Sequence, residues 1–222
     1  MLRFCAWSLI TVVLCASLAA GQEYKVAKLE SGPPAGALAP EIAALLAPGG
    51  YTILQGERAV CDIWPCKEWP IAEGAKTTGE VQYPLTPGQV FGAIRFPRKS
   101  ADFRDQEIAA GVYVLRYAQQ PVDGAHAGTF PTRDFCALLP AAKDRSAGVL
   151  DYKALIALGK ETTGTAHPAI RPLLKPAAGD APAIHADEEK MWTMVRFVGK
   201  TRQGPAVKDL PVELVVAGVA AE

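Results

Sequence analysis

Short runs of β-branched and aromatic residues recur from Tyr51 to the end of the chain, and Gly, Pro or Asp cuts off each one. Such runs read as strands. Branched and aromatic side chains suit a pleated, half-buried surface, whereas Pro lacks the ladder N–H and Gly invites a turn. The runs are Tyr51–Leu54, Arg58–Trp64, Lys67–Ile71, Val81–Leu85, Gln89–Phe96, Val112–Ala118, Phe135–Leu139, Met191–Val198 and Val212–Val219. Alternation is clearest in the second half of the set: Val112, Val114 and Arg116 share one face, and Tyr113, Leu115 and Tyr117 the other. In Met191–Val198 both faces are largely apolar, which places that strand inside a sheet. This spacing predicts a mainly β fold, an antiparallel β-sandwich with one short helix and Pro/Gly-rich loops; a barrel has the same signature.

The helix is expected after Asp151, a good N-cap, with Tyr152, Leu155, Ile156 and Leu158 forming a one-sided apolar stripe. Residues 31–50 and 164–187 are rich in Pro, Gly and Ala and read as excursions. The first holds one helical turn near Glu41–Leu46, stopped by Pro48, Gly49 and Gly50.

The first residues have the pattern of a cleavable secretory signal: Arg3, an apolar stretch from Phe4 to Leu18, then Ala19, Ala20 and Gly21. The apolar stretch falls short of the roughly 20 residues that a bilayer span needs. The expected organisation is therefore a signal peptide over 1–21, an N-terminal strand and Pro/Gly/Ala-rich segment over 22–50, and a β-sandwich domain over 51–222. The expected location is the periplasm or the cell exterior, with no transmembrane segment in the mature chain.

Loss of Arg3 leaves 22 Lys and Arg against 23 Asp and Glu, a net charge of −1. A neutral chain without a basic block argues against nucleic-acid partners, which select a concentrated positive face. Three cysteines remain, Cys61, Cys66 and Cys136. On one continuous strand, Cys61 and Cys66 would lie roughly 16 Å apart on opposite faces, too far for a disulfide. Either Pro65 breaks that strand, or one of the two pairs with Cys136, or all three are buried thiols. With no CxxC pair, zinc held by thiolates is not expected. No Walker or dinucleotide fingerprint is present, so no cofactor is expected.

The densest polar region runs from Arg116 to Asp134 and holds Gln119, Gln120, Asp123, His126, Arg133 and Asp134. A strand-to-strand loop of about 15 residues is uncommon without a purpose. Three chemistries fit it. Asp123 and His126 can bind a metal together with His167. Asp123 or Asp134 can orient His126 as a general base, although no nucleophile elbow accompanies it. Or the polar groups hold turns and pair with the loop backbone, Asp123 with Gly124 being a turn signal. His167 and His185 stand in Pro-rich segments, where a histidine is usually solvated. Trp64 and Trp192 lie in strands and read as core, whereas Trp69 beside Pro70 is the better candidate for an exposed sugar-stacking ring.

The segment Arg104–Leu115 (RDQEIAAGVYVL), with the DGAHAG and TRDF stretches that follow it, resembles an uncharacterised group of exported bacterial β-sandwich proteins. The resemblance covers about residues 89–140. It implies the fold and an exported location, and brings no activity with it. Asp123, His126, Arg133 and Asp134 match its polar signature. The expected function is a non-catalytic binding or structural module of the periplasm or cell exterior, its partner a carbohydrate or another envelope component. The alternative is a hydrolase or metal-dependent enzyme centred on His126.

Overall fold

The computed structural model describes residues 23–122 and 131–220. The strands are β1 (Tyr24–Leu29), β2 (Gly50–Gln55), β3 (Arg58–Pro65), β4 (Trp69–Pro70), β5 (Val90–Phe96), β6 (Ser100–Ala101) and β7 (Glu107–Ile108). The rest are β8 (Gly111–Gln119), β9 (Asp134–Pro140), β10 (Ile170–Leu174), β11 (Ala183–Asp187), β12 (Trp192–Gln203) and β13 (Ala206–Ala217). The helices are α1 (Pro40–Ala43) and α2 (Tyr152–Thr163).

The chain is mainly β, as its punctuation predicts, but the strands do not divide into two facing sheets. One sheet runs β1-β2-β3-β5-β8-β9-β10-β13-β12-β11, and β6 and β7 form a small separate pair. Neighbours along the large sheet are antiparallel, and it curls into a half-barrel. β1 and β11, the two ends of the order, come into contact. Short β4 adds a parallel pairing to β12, Trp69 opposite Thr201. A long curled sheet buries both faces if something covers the convex one. Here the concave side holds the main core, with Trp64, Trp69, Phe91, Phe96, Tyr117, Phe197 and Leu214. A second cluster on the other face gathers Phe135 and Leu139 of β9, Ile170 of β10, Trp192 of β12 and Val215 of β13 with Leu155 of α2, which packs on β9. The alternation along β9 follows directly: Cys136 and Leu138 enter the main core, while Phe135, Ala137 and Leu139 meet the helix side.

Local sequence explains α2. The Asp151 carboxylate accepts from the Ala154 N–H at 2.8 Å, and Gly164, with φ of 68°, closes the helix in the left-handed region. The 23–50 segment joins the main core: β1 pairs with β2, and Leu38, Ile42 and Leu46 are buried in it.

Two expected features differ. Val81–Leu85 forms no strand, and the 164–187 excursion contains two, β10 and β11. β10 pairs with β9 over Ile170–Pro172 and with β13 over Leu173–Leu174. Pro172 thus sits where the strand leaves one neighbour for the next, a place where a missing N–H is tolerated.

Candidate functional site

β8 and β9 are in register as far as Gln119 opposite Asp134, so the polar loop leaves from a fixed neck. Gln120 N donates to the Arg133 carbonyl at 2.8 Å. The Arg133 guanidinium returns two bonds to the Gln120 carbonyl, at 2.8 and 2.6 Å. One step below, the buried Asp134 accepts from the Tyr117 hydroxyl at 2.5 Å and from Gln82 N at 2.6 Å, and Gln119 Nε2 donates to the same Tyr117 oxygen at 2.8 Å. Asp134, together with Arg133 N donating to the Glu80 carbonyl at 2.8 Å, therefore ties the neck to the 80–83 segment. Asp123 and His126 lie outside the described residues, and among those described no group of three or more His, Cys, Asp or Glu is placed to hold a metal.

Burial pushes the Asp134 carboxyl above its ordinary 3.8, against the opposing pull of Tyr117, the Gln82 and Tyr83 amides and Arg133. A raised pKa in the folded state means that the native protein holds this proton more tightly than the unfolded chain. Asp134 therefore contributes most under acid conditions, and that contribution is lost as the pH climbs through the raised value. Asp134→Asn should fold. The new amide nitrogen donates to the Tyr117 oxygen, whose own proton turns to the Tyr83 carbonyl 3.1 Å away. Urea unfolding at about pH 4 and about pH 7 should show a smaller fall in stability for the variant than for the parent; parallel curves would contradict this role for Asp134.

Several other buried polar groups are also consumed by the fold. Arg116 forms an ion pair with Asp144 inside the protein. Glu213 accepts from Ala177 N at 2.9 Å and lies 2.7 Å from His185 Nδ1 and 3.4 Å from Arg196 Nε, while Arg196 also donates to the Ala178 carbonyl. His185, read from the sequence as a solvated loop residue, stands on β11 with its side chain 48% exposed and pairs with this buried carboxylate. A histidine oriented by a carboxylate has the geometry of a general base. The spacing gave no hint of it, because β12 separates the two strands in the sheet. Cys61, Cys66 and Cys136 are free and buried. Burial pushes the Cys61 and Cys66 thiols up to about 12 and Cys136 well above its ordinary range, so none is a thiolate nucleophile near neutral pH. The tryptophan expected to be exposed, Trp69, is fully buried, as are Trp64 and Trp192. Each donates its indole N–H to a carbonyl, of Phe91, Ser31 and Val219 respectively. None offers a sugar-stacking face.

A cleft of about 260 Å³ opens where α2 leans on the sheet beside the neck. Tyr152, Ile156 and Lys160 line it from one face of the helix, at helical spacing of four. Phe135 and Ile170 lie at its floor, and Gln120, Arg104 and His167 complete its polar side. The last two are positioned by backbone bonds. Buried Asp102 accepts from the N–H groups of Arg104 and Gln106 at 2.8 and 2.9 Å, an Asx turn that presents Arg104. The Thr163 hydroxyl donates to the His167 carbonyl at 3.0 Å, and His167 N donates to the Thr165 hydroxyl at 3.1 Å. Gly159 lets Pro168 lie against the helix, since a Cβ there would sit 2.7 Å from the proline ring. Gln120 and His167, both singled out in the sequence, thus meet in one cleft, and they are joined by Arg104, Lys160 and Tyr152, which were not. A second, more open cleft of about 340 Å³ has Lys28, Lys67 and Lys200 on its walls. There Lys67 donates to the Ala44 carbonyl and Lys200 pairs with Asp209.

No family model matches this chain, and no curated protein or solved structure matches it either.

Proposed function

We propose that this chain is an exported, non-catalytic binding module of the periplasm or cell exterior, and that it takes its ligand in the cleft beside α2. One observation carries the reading. Arg116, Asp134 and Glu213 spend their buried polar atoms on the fold itself, whereas the side chains of Arg104, Lys160 and His167 line this cleft with no hydrogen-bond or ion-pair partner among the described residues. Apolar floor with a few converging polar groups is the usual construction of a small-ligand site, and this one lies just below the ~300–1,000 Å³ of drug-sized pockets. The signal-like N-terminus and the resemblance of residues 89–140 to exported proteins support the location. A carbohydrate or another small envelope component is the partner class this favours.

Ile156→Trp fills the cleft from an exposed-edge helix position without touching the main core. Saturation-transfer NMR of the chain from residue 22 with a set of envelope monosaccharides and small acids should give signals that disappear in this variant, while its thermal unfolding stays near the parent's. Signals that persist unchanged would place binding elsewhere and overturn the reading. Chemical conversion of a probe, lost in His126→Ala, would replace it with an enzyme.

A further inference from the structure

Resting on that reading, we infer that the ligand of the α2 cleft is an anion carried on a single ring, the anionic group facing Arg104, Lys160 and His167 and the ring lying between Tyr152 and the Ile156 side of the floor. Three features lead there. First, among the described residues no Asp or Glu lines the cleft, although it carries a guanidinium, an ammonium and an imidazole from three separate segments. Unpaired cations brought to one concavity repel each other, and an anion bound among them removes that repulsion and accepts several charge-assisted hydrogen bonds at once. Second, the same cleft also presents an apolar surface. Phe135 and Ile170 are buried beneath it, Ile156 is half-buried and Tyr152 is exposed. A ligand that was all charge would leave this surface wet, and one that was all apolar would desolvate the cations without compensation. Third, a volume of about 260 Å³ suits one ring and not a chain of them. The second cleft lacks this combination, because Lys67 and Lys200 already have partners and Glu30 stands among the lysines.

A carboxylate on an aromatic ring and a carboxylate on a sugar ring share this chemistry. The experiment separates them with four probes titrated by heteronuclear NMR into the chain from residue 22: phenylacetate, phenylacetamide, D-glucuronate and methyl D-glucoside. One acid is expected to shift resonances of α2 and of residues 102–106, and to bind at least roughly tenfold more tightly than its neutral counterpart. A double variant, Arg104→Met with Lys160→Met, should lose that preference while keeping the parent's unfolding midpoint, since both side chains reach solvent. Phenylacetate as the tighter acid assigns an aromatic acid, and D-glucuronate an acidic sugar. If the neutral probes bind the same resonances as well as the acids do, the cleft is a binding site but the anion inference is wrong. If neither acid binds there, the inference is also wrong. If the shifts map away from α2, the cleft reading falls with it.

Discussion

Asp144→Ala is expected to destabilise the protein by about 3–5 kcal/mol, the cost of removing one partner from a buried ion pair. The Arg116 and Asp144 side chains are 0% and 1% exposed. The guanidinium meets the carboxylate in a fork, Nε to Oδ2 at 2.7 Å and NH2 to Oδ1 at 2.8 Å. Its other donors go to the carbonyls of Gly88 at 2.7 Å, Gly148 at 2.6 Å and Ser146. Removing the carboxylate leaves a full positive charge inside the protein, with only carbonyl dipoles around it. For a domain of this size the melting temperature should fall by roughly 6–20 °C. Arg116→Met with Asp144→Leu should recover much of that loss, because an apolar pair needs no compensation. A double-mutant cycle by urea unfolding measures both, and a single-variant cost below about 1 kcal/mol would contradict the buried pair's role. The consequence reaches the cleft. Arg116 holds the 144–148 segment against Gly88, Leu150 N donates to the Gly88 carbonyl at 3.1 Å, and α2 starts two residues later. A loosened Asp144 therefore also misplaces Tyr152.

The strands legible in the sequence are those whose own side chains settle the matter. β8 and β9 are buried on both faces, by Val, Tyr and Leu on β8 and by Phe, Cys, Ala and Leu on β9. β10 was hidden because part of its pairing comes from far along the chain, Leu173 facing Leu214. β11 pairs with the next strand, His185 facing Met194, but its own residues, Ala-Ile-His-Ala-Asp, are half-exposed and carry little strand character. Val81–Leu85 looked like a strand and is instead held by side chains. Gln82 N donates to Asp134, and the Tyr83 hydroxyl donates to the Leu174 carbonyl at 2.8 Å and accepts from Glu213 N at 2.9 Å. The two-sheet sandwich gave way to one curled sheet for a related reason. Alternation along a strand states that two faces are covered, not whether a second sheet or a helix covers them. The candidate site was legible in part. Gln120 and His167 were singled out, but Arg104 sits in a turn and Lys160 in the last turn of α2, where a basic residue ordinarily answers the helix dipole. Only the packing of α2 on β9 brings these segments together.

Trp69→Ala should cost about 3–5 kcal/mol, as for other large aromatic side chains deleted from a core. The ring is 0% exposed, stacks on Phe91 with centroids 4.7 Å apart, and donates to the Phe91 carbonyl at 2.8 Å. It also sits directly over Gly199 of β12. A Cβ at that position would lie 2.1 Å from Cζ3 and 2.5 Å from Cη2 of the indole, so the strand has room for the ring only because residue 199 has no side chain. β4 is otherwise fastened to β12 by two paired residues, by Ile71 N donating to the Arg202 carbonyl, and by an exposed ion pair between Arg202 and Glu68. Trp69 is the most deeply buried of these residues, which makes it the main fastening of β4 to β12. Gly199→Ala alone should then cost about 1–3 kcal/mol through overpacking. In the Trp69→Ala background the same substitution should be close to neutral, or even stabilising, because the added methyl enters the space the ring has left. Urea unfolding of the four proteins gives the coupling directly. Equal costs for Gly199→Ala in both backgrounds would show that the indole is not what keeps residue 199 a glycine, and the fastening would have to come from the backbone pairing of β4 and β12 alone.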